Sequence, residues 1–584
     1  MRIGVSGPTF YDFFVEHGHP SPWPAIGEGD CVPLSRTSAE SLEHTRNWIN
    51  QCLSQHEKCR LDEPSFLPTR VLDLGAPQSS LDAPIKLIEP ESGTEDPYVC
   101  LSHCWGHNGQ TLTTTTDNIL DRKTSIPLDS LPPLFKDVVQ ITRRLGYQYL
   151  WIDSLCILQN SEKDWEWEAC RMATVYSNAI FTIAALSASC SQECLSYHDE
   201  NERRKLGLDS LERFGYQESS ITVAGADSNS SKVYVRAEIP HVSGPVYNHQ
   251  AENWPLLTRG WAYQERRLSG RILKFSKREL LWECSEHKIC QCTDSQPPSL
   301  YKLWYNKAMK IKGSWHDSIG IQWRQMVIEY TALELTQNSD RLPAFRGIAR
   351  QMSRFFPCGY LDGIWEGPTL IPDLMWMRSY NFEPGPPRPT HRFHWPSWSW
   401  ASVDGPIDYY SFRDDPDFVQ PMIDIIDCCS AYNPIDERYP LCGWIRVAAH
   451  MEARTWRVQI GTGEFWKDAR RGGHYLFPRR QPFGARAEDD VELNNSMVHH
   501  DYDWSAESID QISESTVLHL AKIAIVFHDL REEERECALL LRKKPGREDT
   551  YQRVGLVHVG IRPWRGAQPP RLKWEEQKTE ITIL

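Results

Sequence analysis

Apolar positions along the chain change period several times, and each change predicts an element. From Ser38 to Cys59, Leu42, Trp48, Ile49, Cys52 and Leu53 recur at helical spacing. TRVLDLG and APIKLIEP then read as two short strands. YVCLS (98–102) is an apolar run of strand length, followed by the Thr-rich loop TLTTTTDN. Pro132 and Pro133 suit a first helical turn. Leu134, Val138, Ile141 and Leu145 follow at i, i+4, i+7 and i+11, one helical face, and Gly146 suits the left-handed stop. YQYLWID (147–153) is the next strand. Ser161 and Asp164 form a variant capping box, and Trp165, Ala169, Met172 and Tyr176 repeat the helical spacing. AIFTIAAL (179–186) is a continuous apolar run, as in a buried parallel strand.

Strand, helix, strand, helix, strand predicts an α/β domain with a parallel sheet. Residues 190–250 are polar and read as an excursion from it. TRGWAYQERRLS (258–269) predicts a helix, and RILKFS with ELLWEC a hairpin. Residues 300–357 read as helical. From Trp395 the pattern turns to strands: WSWAS, WIRVAAH, TWRVQI, IAIVF, ALLLR and RVGLVHV, with a hairpin connection at KKPGREDTY. The expected organisation is an irregular tail over 1–35 and an N-terminal extension of a helix plus short strands over 36–95. An α/β domain over 96–295 follows, with its variable insertion at 190–250. A helical segment over 296–394 and a mostly antiparallel β region over 395–584 complete the chain. No repeat of fixed period occurs.

Composition narrows the classes of function. The 584 residues are too many for one core. With 64 Lys plus Arg against 78 Asp plus Glu, the net charge of −14 argues against nucleic acid as the main partner. No apolar run is long enough for a membrane-spanning helix, and MRIGVSGPTFYDFF lacks the basic start and apolar core of a secretory signal. The 17 Cys are scattered and often lie in apolar runs, as reduced thiols do, so a cytoplasmic protein is expected. The 23 Trp are about three times ordinary usage.

Candidate chemistry lies where strands end, because ligands of parallel sheets bind beyond the carboxyl ends. Ser102, His103, Cys104, Trp105 and Gly106 close one strand, and Asp153 and Ser154 close the next. Trp105 offers a stacking face, and Gly106 allows positive φ or close approach of a ligand. Glu168 borders the apolar stripe of its helix, either as a rim charge paired with Arg171 or Lys163 or as an acid facing a cleft. Glu265 shares a helical face with Trp261 and Leu268, so burial would require a partner, with Arg259 and Arg266 nearest in sequence. The spacing of Cys284, His287, Cys290 and Cys292 in CSEHKICQC is not that of a common zinc site, and no metal is expected. A Cys–His nucleophile pair is disfavoured, because adjacent strand residues such as His103 and Cys104 point to opposite faces.

Three blocks, YVCLSHCWG, LWIDSLCILQNSEKDWEWEACRMATVYSNAIFTIAALSA and RGWAYQERRLSGRILKFSKRELLWEC, resemble the fungal heterokaryon incompatibility (HET) domain in order and spacing. The flanks WINQCLSQHEKC, YTALELTQNSDRLPAFRGIA and HWPSWSWASVDG resemble those of the same proteins. The resemblance implies non-self recognition and regulated cell death, and a parallel sheet remotely similar to Toll/interleukin-1 receptor (TIR) domains. Some TIR domains cleave NAD with a helix-borne Glu, which makes Glu168 and Glu265 the candidate catalytic residues. Many HET sequences carry Gln at the position of Glu168. The ligand-binding candidates are Ser102, His103, Trp105, Gly106, Asp153, Gln159, Tyr176, Arg259, Trp261 and Gln264. NAD is then the candidate substrate and no cofactor is required. The implied partners are a second copy of the chain or other incompatibility and cell-death proteins. The alternative is a non-catalytic module that triggers death by self-association or partner binding. No GxxxxGK[ST] loop and no repeat array accompanies the domain.

Overall fold

The computed structural model describes residues 2–4, 10–33, 35–59, 65–76, 79–106, 109, 112–195, 218–224, 230–239, 254–292, 318–356, 358–379, 395–411, 418–429, 444–455, 496–501, 517–528, 533–560 and 574–584. The chain divides into two units, Met1–Ile311 and Lys312–Leu584.

The first unit is built on an eight-stranded mixed sheet. Its strands are β1 (Val71–Asp73), β2 (Lys86–Ile88), β3 (Tyr98–Ser102), β4 (Tyr149–Trp151), β5 (Phe181–Ala184), β6 (Arg271–Phe275), β7 (Leu280–Cys284) and β8 (Lys288–Cys290). They run in the order β8-β7-β6-β5-β3-β4-β1-β2. The central four, β6-β5-β3-β4, are parallel, and the strands beyond them on both sides are antiparallel. The strands expected at 98–102, 147–153 and 179–186 are therefore neighbours in one parallel sheet, with β3 in the middle. All residues of β3 and β5 are buried, which explains their unbroken apolar character.

The helices form where the pattern requires. Among them are α1 (Ala39–Gln55), α2 (Pro133–Arg144), α3 (Asp153–Cys156), α4 (Glu162–Asn178) and α5 (Gly260–Leu268). Ser161 caps α4 by accepting from the Asp164 N–H, and Gly146 takes φ +90° just beyond α2. The Tyr98 hydroxyl donates to Val175 O at 2.7 Å and the Tyr176 hydroxyl to Leu101 O at 3.0 Å, fixing α4 on β3. In α1, Leu42, Trp48, Ile49 and Cys52 are buried, whereas Leu53 is exposed at the edge of the stripe.

Two regions differ from the sequence reading. The N-terminal residues form strands rather than an irregular tail: Phe10–Val15 pairs with Ser230–Ala237, and this with Ser219–Ala224. Partners over 200 residues away leave no local signal, and Gly and Pro on both sides mask the short run. The excursion at 190–250 supplies those partners. The described part of the N-terminal sheet centres on Val15, Ile26 and Val233.

In the second unit, Ser318–Thr331 and Pro343–Met352 are helices, while residues 300–317 lie outside the described residues. A nine-stranded sheet is antiparallel except where Thr550–Gly560 runs beside Thr579–Ile583. WSWAS is not a strand but ends in a 3-10 turn, Trp400–Ser402, capped by the Ser399 hydroxyl. Trp400 donates to Gly363 O, an acceptor it shares with Trp323, and the Trp398 carbonyl accepts from Trp376. The strand expected at TWRVQI lies, after Thr455, outside the described residues.

Candidate functional site

The parallel strands run in the order β4-β3-β5-β6. The chain leaves β3 toward β4, then returns across β3 to β5 and continues outward to β6. The carboxyl ends of β3 and β5 therefore flank a topological switch point, where open α/β sheets bind ligands. Ser102 pairs in register with Ala184 at that point.

Glu265, on α5, comes down onto this end of the sheet. Ser102 Oγ donates to Glu265 Oε2. Glu265 is only 5% exposed, and its pKa is raised to about 7. Burial is the main cause and the negative charge of Asp153 the second, with the Ser102 hydrogen bond and the Arg259 charge opposing them. Tyr176 adjoins the same carboxyl. A phenol has one proton, and that of Tyr176 is given to Leu101 O.

Asp153, directly after β4, holds a second set. Trp105 Nε1 donates to its Oδ2 at 2.9 Å and the Ser154 N–H to its Oδ1 at 2.7 Å. His103 Nδ1 lies 3.9 Å from Oδ1, beyond hydrogen-bond range. The His103 ring is buried edge-on to Phe135 at 5.2 Å between centroids. Burial, with the Arg259 charge assisting and Asp153 opposing, drives its pKa down to about 4, so the imidazole is neutral at physiological pH. Arg259 Nη1 donates to His103 O at 2.7 Å. Gly106 takes φ +82°, and a Cβ there would lie 2.8 Å from Cys190 Cβ. Cys104 points away from His103 into the apolar cluster of Ala184, Leu186 and Leu256, so no Cys–His pair forms.

The structure thus joins Ser102, His103, Trp105, Asp153, Tyr176, Arg259 and Glu265 through direct contacts or charge. Glu168 belongs elsewhere. It is 2% exposed and lies 3.7 Å from Arg70 Nη2, an arginine that also bonds Asp164 at 2.5 Å and Cys156 O at 2.7 Å. Burial raises its pKa, opposed by the Thr69 hydrogen bond and by Arg70. Its partner is Arg70 rather than Arg171, which stacks on Trp167, or Lys163. No sequence signal ties residue 70 to residue 168, because the pairing arises from the fold. Gln159 donates to the carbonyls of Asp153 and Ile157 and so closes the α3 turn. Gln264 is buried in α5. Trp261 meets Trp165 edge-on, fastening α5 to α4.

Among the described residues no helix is long and apolar enough to cross a membrane. No curated protein and no solved structure matches the chain. One family model does, described as Heterokaryon incompatibility protein (HET), over residues 98–265. That segment begins at the first residue of β3, ends at Glu265 and contains every residue of the candidate site. Residues 98–265 therefore match a HET domain, and the Ser102–Asp153–Glu265 group lies inside the matched segment.

Proposed function

We propose that the protein acts in fungal non-self recognition and regulated cell death, and that its HET domain binds and cleaves a nucleotide such as NAD at the β3–β5 crevice. One observation carries this reading: a buried carboxyl, Glu265, with acidity near neutrality, sits at the switch point beside a hydroxyl, a second carboxylate, an arginine and a half-buried tryptophan. Cleavage of the nicotinamide–ribose bond develops positive charge on the sugar, which an ionised carboxylate stabilises. Glu265 is ionised above about pH 7, Arg259 offers charge for a phosphate, and Trp105 offers a stacking face. The parallel sheet is compatible with a remote TIR-like relationship. Glu168, paired with Arg70, serves better as a structural acid, so the catalytic role falls to Glu265. In purified protein, nicotinamide release followed by chromatography should rise with pH through about 7. A rate independent of pH between 5 and 8 contradicts the role given to Glu265.

A second reading, a non-catalytic signalling module, has its own support. Glu265 is almost wholly enclosed, as in a structural latch. Trp167 on α4 is 53% exposed, a feature of contact surfaces. Under this reading Trp167→Ala abolishes cell killing while Glu265→Gln leaves it intact.

A further inference from the structure

Cys284, noted in CSEHKICQC, does not gather with its sequence neighbours. Cys290 and Cys292 collect instead around Glu279. Cys284 meets three residues more than 220 positions earlier: Cys52 in the last turn of α1, His56 at its cap and Cys59 in the following 3-10 turn. All four are buried, and one ligand atom from each lies within 4.8 Å of the others. Cys284 Sγ is 3.4 Å and Cys59 Sγ 3.9 Å from His56 Nδ1. A tetrahedral zinc, with Zn–S of about 2.3 Å and Zn–N of about 2.0 Å, spaces its ligand atoms about 3.5–3.8 Å apart.

The surroundings suit thiolates. The His287 N–H donates to Cys284 Sγ at 3.3 Å, the Glu286 backbone adds a second contact, and the Ser285 backbone bonds Cys59. The ligand-bearing pieces are also held to each other: the Lys58 N–H bonds Glu286 at 2.7 Å, and Arg271 donates to Cys59 O. The His287 ring packs on His56 with centroids 4.7 Å apart.

We propose that Cys52, His56, Cys59 and Cys284 bind one structural zinc ion that fastens α1 to β7. Three thiolates and an imidazole in tetrahedral arrangement favour zinc over harder ions, and with all four positions supplied by protein the site is closed. None of the four residues lies within 98–265, so the site would extend the folded unit beyond the segment matching the family.

The test uses the full chain purified with zinc in the medium and no added chelator. Elemental analysis should find about one zinc per chain, and the double variant Cys52→Ser/Cys284→Ser should fall below about 0.1. Cys290→Ser/Cys292→Ser, which alters the neighbouring thiols, should keep its zinc. If the Ser variant misfolds, two measurements on the wild type still decide the matter. A thiol-blocking reagent should release stoichiometric zinc to a colorimetric chelator. Exchange with cobalt(II) should give a thiolate charge-transfer band and tetrahedral visible bands. His56→Cys, which preserves four ligands, should retain the metal. Folded wild type with no stoichiometric zinc, or with a disulfide among Cys52, Cys59 and Cys284 in the peptide map, overturns the proposal.

Discussion

Two residues at the crevice carry opposite pH signatures. Glu265 is less acidic when folded, about 7 against an ordinary 4.5, so the folded state holds its proton more tightly. Its contribution to stability is complete below about pH 4.5 and is lost as pH rises through about 7, a change of about 3 kcal/mol. His103 is driven down to about 4 from 6.5, so its contribution is present above pH 6.5 and is lost as pH falls through about 4. The two slopes oppose each other over most of that interval. Glu265→Gln mimics the protonated acid, accepting from Ser102. Denaturation at several pH values should show this variant gaining on wild type by about 3 kcal/mol between pH 4.5 and 7.5. A difference that does not change with pH contradicts the protonation state assigned here. Arg70 is the matching test for Glu168. Arg70→Met leaves buried carboxylates without their cation and should cost about 3–5 kcal/mol. Adding Glu168→Gln should recover part of that loss in a double-mutant cycle.

At the scale of elements, what was legible depended on how local the cause was. Apolar spacing, the Ser161 cap and Gly146 lie within one helix or its ends, and α2, α4 and the central strands form where the spacing puts them. Short strands paired across the chain, such as Phe10–Val15 with Ser230–Ala237, are set by partners rather than by their own residues. WSWAS has aromatic strand character, yet it forms a turn in which Trp400 donates to the Gly363 carbonyl and the Trp398 carbonyl accepts from Trp376. The candidate site follows the same division. LSHCWG and Asp153 were visible as polar residues at strand ends, and Glu265 as an acid on an apolar face. The Arg70–Glu168 pair and the meeting of Cys284 with Cys52, His56 and Cys59 are products of tertiary folding. The turn after β3 gives an element-level test. Gly106→Ala places a side chain at positive φ against Cys190 and should cost about 1–3 kcal/mol. Gly109→Ala has comparable φ but no atom of the described residues within 4 Å, and thermal melts should show a smaller loss. Equal losses would mean that Cys190 yields freely.

Across the whole molecule, the HET match, the switch point of the parallel sheet and the Glu265 group coincide in the first unit. The central claim is that this coincidence is a nucleotide-cleaving site rather than a buried latch. The most direct measurement is incubation of the purified full chain and its Glu265→Gln variant with NAD at pH 7.5, reading nicotinamide by chromatography, with melting curves run in parallel. The expected result is nicotinamide release by wild type and a fall of about a hundredfold or more in a variant that melts no lower. Wild type that is folded and releases no nicotinamide, or a variant as active as wild type, contradicts the account.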